Sequence, residues 1–178
     1  MTGRRPGADD GRELLAGGRA CANTSYQTYL GLPWCSAVAS VTSAELDSDL
    51  AELTCVNPNY WFCYMTALAS VTGLEYLTGT QTMQATFFGC TALTELDLRG
   101  FDPSSLTLIT LMFRSCSALT TIYADADWEL PSGMSGSNVF YGCSSLVGGN
   151  GTTYSATKVS YKYFVIDSED AEGYLTAG

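Results

Sequence analysis

The sequence predicts a repeat fold of the α/β class, in which about five similar segments stack side by side. A short motif of the form (Cys/Met)-x-x-apolar recurs along the chain, and a second apolar position recurs in phase with it. The 178 residues are 46% hydrophobic and 15% charged, which is enough apolar material to bury the core of one domain.

The two repeated positions define the copies. The lead residues of the motif recur at a nearly even spacing, with the first interval the longest: Cys35, Met65, Cys90, Cys116 and Cys143. Three positions before each lead residue stands the second repeated position: Leu32, Phe62, Phe87, Phe113 and Phe140. A period of roughly 20–29 residues is typical of leucine-rich repeats. We therefore expect a leucine-rich-repeat solenoid of about five turns, with an insertion in the first, each with one short parallel strand and a short helix or turn.

An alternation of apolar and polar residues predicts a strand just after the motif in each copy. Leu96, Asp97 and Leu98 run apolar, polar, apolar, as a half-buried strand requires. The same phase predicts these inward residues in the neighbouring copies: Leu68, Val71, Gly73, Leu119, Ile122 and Ala124.

The return segment of the third copy has a helical pattern. Apolar residues at Leu106, Ile109, Met112 and Phe113 form a stripe within residues 104–114. Asp102 is placed to cap this helix, with Pro103 in its first turn.

The two ends of the chain depart from the repeat. Residues 1–20 are expected to be a flexible leader or the edge of a fragment, without the apolar stretch of a signal peptide. Residues 21–155 form the predicted solenoid, with an N-terminal cap over about 21–62. Residues 156–178 are predicted to close the array, with a closing strand at 161–167.

One block carries a family resemblance. Residues 87–105 read Phe-Phe-Gly-Cys-Thr-Ala-Leu-Thr-Glu-Leu-Asp-Leu-Arg-Gly-Phe-Asp-Pro-Ser-Ser. This block resembles the repeat of BspA-like leucine-rich-repeat surface proteins, Met-Phe-x-x-Cys-x-x-Leu-x-x-Leu-Asp-Leu-Ser-x-Phe-Asp-Thr-Ser. The resemblance covers residues 60–155 well and 30–59 loosely. It implies a bacterial protein, extracellular or at the cell surface, that acts in adhesion or host contact.

The charge distribution argues against some partners. The net charge is −10, and beyond residue 20 the chain carries fifteen acidic against four basic side chains. Such a surface repels phosphate backbones and anionic lipid, so we expect no nucleic-acid partner. No apolar stretch approaches the ~20 residues of a membrane span, so no membrane insertion is expected in this segment.

The chemistry-bearing residues favour packing over catalysis. The chain has seven Cys and no His, which removes the Cys–His nucleophile pair and the common Cys/His zinc sets. We therefore expect no enzyme, metal or cofactor, and interpret Cys90, Cys116 and Cys143 as a column of buried free thiols. A disulfide among Cys21, Cys35, Cys55 and Cys63 stays open. The acidic residues Asp125 and Asp127 are interpreted as part of a solvated loop.

The polar positions between the inward residues form the candidate binding face. Solenoids often bind through this surface, and here the pattern predicts two columns, Ser40, Ser70, Glu95, Thr121 and Thr42, Thr72, Asp97, Tyr123, extended by Arg99 and Asp125. The predicted function is a non-catalytic cell-surface or secreted binding module that contacts a host or bacterial surface protein or a glycan. The alternative is a structural spacer or an accessory domain of a larger secreted protein.

Overall fold

Six short strands form two parallel sheets in the computed structural model, which describes residues 12–15, 39–53 and 56–178. The first sheet contains β1 (Arg12–Leu15), β2 (Ser43–Leu46) and β3 (Ser70–Thr72) in that order. The second contains β4 (Glu95–Asp97), β5 (Thr121–Ala124) and β6 (Leu175–Ala177) in that order. The helices of the described residues are all short 3-10 helices: Ser48–Glu52, Leu74–Tyr76, Pro103–Ser105 and Tyr161–Tyr163. None of them has the length and hydropathy of a membrane span.

The inward-facing positions of the strands are those that the alternation predicts. Leu68, Leu93 and Leu119 are buried two positions before each strand begins, and Val71, Leu96 and Ile122 are buried within it. Successive copies therefore bury one pattern, apolar-x-x-apolar-x-apolar, against the same core.

The register of β2 corrects the predicted first copy. Ser43 lies opposite Ser70 and Glu45 opposite Thr72, so Ser40 and Thr42 do not begin the two outward columns. The cause is burial. Val41, Ala44 and Leu46 reproduce the inward pattern of the later copies, and all three are buried in the observed register. The longer offset predicted between the first two copies would no longer align them with the inward positions Leu68, Val71 and Gly73.

The predicted Phe column forms a continuous aromatic stack through the core. Phe62, Phe87, Phe113 and Phe140 are fully buried, and neighbouring rings lie 5.2, 5.5 and 5.7 Å apart with nearly parallel planes. Phe164 and Tyr174 cover the last ring, with Tyr174 edge-on to Phe140 at 5.0 Å. Leu32, the first member of the predicted column, lies outside the described residues.

A second hydrogen-bond ladder joins the turns that precede each lead residue. Backbone N–H groups donate to carbonyls in the next copy, as in Phe87 N to Met112 O at 2.9 Å and Phe113 N to Val139 O at 2.9 Å. The copies are therefore joined by backbone bonds at the turns as well as at the strands.

These turns place side-chain-bearing residues in the left-handed region. Six non-glycine residues have positive φ, and all fall five or one positions before a lead residue: Tyr60, Tyr64, Ala85, Leu111, Ser115 and Asn138. Such conformations are uncommon outside glycine. Here the N–H of several of these residues, including Ala85 and Ser115, is fixed by a bond to the next copy at 3.0 and 2.8 Å.

The helix predicted over residues 104–114 is wrong beyond its first turn. Asp102 caps it as expected, accepting from Ser104 N at 2.8 Å, with Pro103 at its start. The 3-10 helix ends at Ser105, because the following backbone donors bond to the neighbouring copies, as in Thr107 N to Gln81 O at 2.8 Å and Ile109 N to Ser135 O at 3.0 Å. The apolar stripe is buried, but it is carried by turns.

The strand that ends the second sheet comes from an unexpected segment. The closing strand predicted at 161–167 is instead the 3-10 helix Tyr161–Tyr163 followed by one bridge from Ile166 to Leu175. Strand β6 pairs with β5, with Ile122 opposite Leu175 and Ala124 opposite Ala177. It occupies the place where the fifth copy, which reads Gly-Asn-Gly at 149–151, has lost its apolar strand residues.

Within the segment predicted to be a flexible leader, residues 12–15 form β1. Arg12 lies opposite Ser43 and Leu15 opposite Leu46 in parallel register. The polar backbone groups of this segment are therefore partnered by β2, which the weak apolar pattern of the leader did not indicate.

Candidate binding surface

The predicted binding face is divided between the two sheets. In the second sheet, Glu95 lies opposite Thr121 and Asp97 opposite Tyr123, so these four side chains form two adjacent rows. Ser70 and Thr72 lie on β3 in the first sheet. We call the six residues brought together at the second sheet the strand face: Glu95, Asp97, Arg99, Thr121, Tyr123 and Asp125.

Arg99 is held within the strand face by two neighbours. Its guanidinium donates to both oxygens of Asp97, at 2.9 and 2.6 Å, and lies 5.5 Å from the ring centre of Tyr123. The side-chain hydrogen bond from Arg99 lowers the pKa of Asp97. Because both side chains are about half exposed, the pair adds little stability. Its main effect is to cancel one negative charge of the face.

Asp125 is partly exposed and has a structural partner. One of its carboxylate oxygens accepts from the backbone N–H of Gly100 at 2.7 Å. This bond joins the loop after β4 to the loop after β5. Asp125 therefore orders the edge of the strand face and adds to its negative charge.

A groove of about 370 Å³ adjoins the strand face at these two loops. Its walls include the loop that begins at Gly100 and the acidic side chains of Asp102, Asp127 and Glu129. Trp128 contributes its ring, which packs edge-on against Phe164 at 5.2 Å and donates from Nε1 to the Phe164 carbonyl. The groove thus combines an ordered aromatic side chain with an acidic rim.

The repeat pattern of the sequence does not predict this groove. Trp128 falls outside every repeated column, and the groove arises only because the loops of two copies meet. The adjacent aromatic and acidic residues at 127–129 were the available signal.

The cysteine column is buried, as predicted. Cys90, Cys116 and Cys143 are free thiols with no exposed surface. Each donates to the carbonyl of a Phe in the preceding copy, namely Cys90 to Phe62, Cys116 to Phe87 and Cys143 to Phe113, at 3.1, 3.0 and 2.9 Å. Burial raises the pKa of the Cys143 thiol to about 12 and that of Cys116 well above its usual value. A protonated, enclosed thiol is a poor nucleophile and a poor metal ligand.

The other candidate sites that the sequence offers are the remaining cysteines and the acidic loop at 125–127. Cys63 is also buried, whereas Cys21, Cys35 and Cys55 lie outside the described residues. Within the described ranges, no group of three or more His, Cys, Asp or Glu side chains is arranged to hold a metal ion. The acidic loop at 125–127 is exposed or half-buried, and Asp125 bonds to Gly100.

Comparison with known proteins gives no relative: no family model, curated protein or solved structure matches this chain.

Proposed function

We propose that this chain is a leucine-rich-repeat solenoid of the BspA-like type and serves as a non-catalytic binding module of a secreted or cell-surface protein. Its partner is a protein with a basic surface, contacted through the strand face and the adjoining groove. The observation that carries the proposal is the partition of charge along the repeat. Between residues 76 and 129, every Asp and Glu falls at 95–102 or 125–129.

The solenoid is supported by the pairing of successive copies. Three columns of the repeat coincide with stacked features: the inward strand positions, the aromatic stack and the buried thiols. Equivalent positions of successive copies pair in parallel register, as Ser43 with Ser70 and Glu95 with Thr121. Stacked turns require this register, since each turn returns the chain to the same face.

Binding through the strand face is supported by its electrostatics. Glu95, Asp127 and Glu129 are exposed, and Asp127 and Glu129 line the adjoining groove together with Asp125. A concentrated negative potential steers a basic partner and gives an association rate that falls with salt. Trp128 offers an aromatic wall for an Arg or Lys side chain of that partner.

A protein array and a cell-surface assay test the proposal. The purified chain is applied to host and bacterial surface proteins, and the native organism is surface-labelled as intact cells. We expect labelling and retention of basic proteins, with Glu95→Gln/Asp127→Asn lowering affinity roughly tenfold at low salt. Glu169→Gln, an exposed change in the C-terminal loop, is the matched control. An unchanged affinity of the double variant rejects binding through the strand face and the adjoining groove.

The same assays separate the module from the alternative of a structural spacer. A spacer predicts surface labelling but no bound partner for this chain, with binding confined to whatever domain it projects. Absence of the chain both from the label on intact cells and from the culture medium argues against both hypotheses, because each requires export.

A further inference from the structure

A row of exposed and partly exposed side chains runs along the turns that precede the lead residues. We call these four residues the aromatic edge: Tyr64, Phe88, Arg114 and Tyr141. Tyr64 lies edge-on to Phe88 with ring centres 4.9 Å apart. The guanidinium of Arg114 lies 5.9 Å from the ring centre of Phe88 and 4.9 Å from that of Tyr141. The row therefore contains one planar side-chain group from each of four successive copies.

The aromatic edge is open to solvent and built on ordered backbone. Tyr64 is 46% exposed and Tyr141 47%, and of the described residues only Val147 joins them as an exposed large hydrophobic side chain. A Cβ at Gly89 would come within 3.0 Å of the Tyr64 ring, so this glycine makes room for the ring beside Phe88. The backbone bonds from Tyr64 N to Phe88 O and from Gly89 N to Arg114 O fix the spacing of the row.

Charge separates this edge from the strand face. In a chain with a net charge of −10, the segments that carry the edge contain no Asp or Glu: residues 53–74, 76–94, 103–124 and 130–166. Arg114 makes no ion pair within the described part of the chain, whereas Arg99 and Lys158 each pair with a carboxylate. The Arg114 guanidinium lies over two aromatic rings, which accept no N–H bond in its plane when they contact its faces, so its N–H donors can serve a ligand.

We propose that the aromatic edge binds a saccharide that carries a single carboxylate. The rings of Tyr64, Phe88 and Tyr141 contact the C–H faces of the sugars, and Arg114 pairs with the carboxylate through two N–H donors. The proposal goes beyond the protein contact proposed for the strand face and shares no residue with it.

The chemistry of the row favours this ligand over other anions. One guanidinium among three aromatic rings matches one charge on an otherwise neutral, partly apolar molecule. Nucleic acids and polyuronates carry a charge on every unit, and the net charge of −10 repels such polyanions.

Titration calorimetry with matched saccharides tests the proposal. The probes are sialyllactose, a trisaccharide ending in glucuronic acid, the methyl ester of each, and lactose. We expect saturable binding of at least one acidic probe, and affinity at least about tenfold weaker for its methyl ester and for lactose. Binding of neither acidic probe, or equal binding of acid and ester, overturns the proposal.

Variants assign the binding to the edge. Arg114→Gln lowers affinity about tenfold, Arg114→Lys less, and Tyr141→Ala about fivefold. Lys162→Gln, which removes another exposed cation, leaves affinity unchanged, as does Glu95→Gln on the strand face. Circular dichroism confirms that each variant is folded, and Tyr141→Ala provides a second test should Arg114→Gln not fold. An acidic pentapeptide that binds as tightly as the saccharides overturns the assignment of the ligand.

Discussion

Each buried thiol of the lead column acts as a donor between copies. The Cys116 thiol donates to the carbonyl of Phe87 at 3.0 Å, and the backbone N–H of Cys90 donates to the same oxygen at 3.1 Å. In these three copies the lead residue has to fit the core and to donate to that carbonyl, whereas Met65 fills the same position in the core without a donor. Cysteine meets both needs, because it packs as a small hydrophobe and carries a weak S–H donor.

The buried thiols are expected to resist modification in the folded protein. Cys90, Cys116 and Cys143 should react with a thiol reagent at pH 8 only after denaturation, because each is enclosed and protonated. Labelling followed by peptide mass spectrometry, with and without guanidinium, measures this residue by residue. Native labelling of Cys116 at the denatured rate would contradict the buried column.

Asp167 is a buried polar residue with a structural role. Its carboxylate accepts from the backbone N–H groups of Asn150, Thr152 and Gly173, and from the Thr152 hydroxyl at 2.7 Å. Burial raises the pKa of Asp167, but the bonds from Thr152, Gly173 and Asn150 outweigh it and the net shift is downward. The ionised carboxylate therefore joins the fifth copy to the segment that leads into β6.

Replacing Asp167 should weaken the fold in a pH-dependent way. Asp167→Ala leaves three backbone N–H groups without their acceptor and costs roughly 3 kcal/mol of unfolding free energy. Asp167→Asn should cost less, because the amide oxygen still accepts. Urea denaturation at neutral pH measures both losses. An unchanged free energy of unfolding for Asp167→Ala would reject the structural role of Asp167.

The sign of the pH effect follows from the lowered pKa. The charge of Asp167 stabilises the fold fully above the unfolded-state pKa of about 3.9 and progressively less as the pH falls through the lower folded-state value. The difference in stability between wild type and Asp167→Asn should therefore shrink below about pH 4. A difference that stays constant from pH 6 to pH 2 would contradict this linkage.

At the scale of the element, each short strand depends on its neighbours for register. The two or three outward side chains of each strand do little to fix its pairing register, which the inward apolar pattern determines. Gly73 is the clearest case, since it follows β3 with φ of 82° and lies against the backbone of Leu46. A side chain there would overlap the Leu46 carbonyl, so the glycine permits β2 and β3 to pair closely.

Gly73→Ala should be much more disruptive than an alanine at a glycine of similar conformation. Gly133 has φ of 84° and open space around it, so Gly133→Ala costs only the backbone strain of about 1 kcal/mol. Gly73→Ala adds displacement of β2 and should cost at least about 3 kcal/mol in total. Urea denaturation of the two variants measures the difference. Equal losses would mean that the close contact is absent.

At the scale of the whole molecule, the repeat array is closed by a strand from outside the repeat. Strand β6 adds Leu175 to the core beside Ile122, and the preceding Tyr174 covers the end of the aromatic stack. Each turn buries its apolar face only against its neighbours, so the last copy needs such a cover.

Leu175→Ala should therefore destabilise the molecule as a core substitution does. We expect a loss of about 3 kcal/mol in urea denaturation, because Leu175 is fully buried. Val147→Ala, a change at a side chain that is 40% exposed in the fifth copy, is the control and should cost under about 0.5 kcal/mol. Equal effects of the two changes would show that β6 does not close the array.

Much of this arrangement could be predicted from the sequence because the repeat imposes the same constraint several times. The columns of Phe113, Cys116, Leu119 and Ile122 recur in neighbouring copies, and each recurrence reinforces the inference that these side chains are buried. The rows of Glu95 with Thr121 and of Asp97 with Tyr123 followed from the same phase. Residues outside the columns, such as Trp128, carried no such reinforcement.

The sequence by itself determined the period, the inward residues and the exposed acidic positions, because local alternation and spacing encode them. The tertiary structure alone decided the register of β2 against β3, the bonds between copies that end the predicted helix at Ser105, and the insertion of β6 beside β5. It also decided which exposed groups meet, as Arg114 meets Phe88 and Tyr141. Each of these outcomes depends on contacts between segments that are distant in the sequence, which no local pattern specifies.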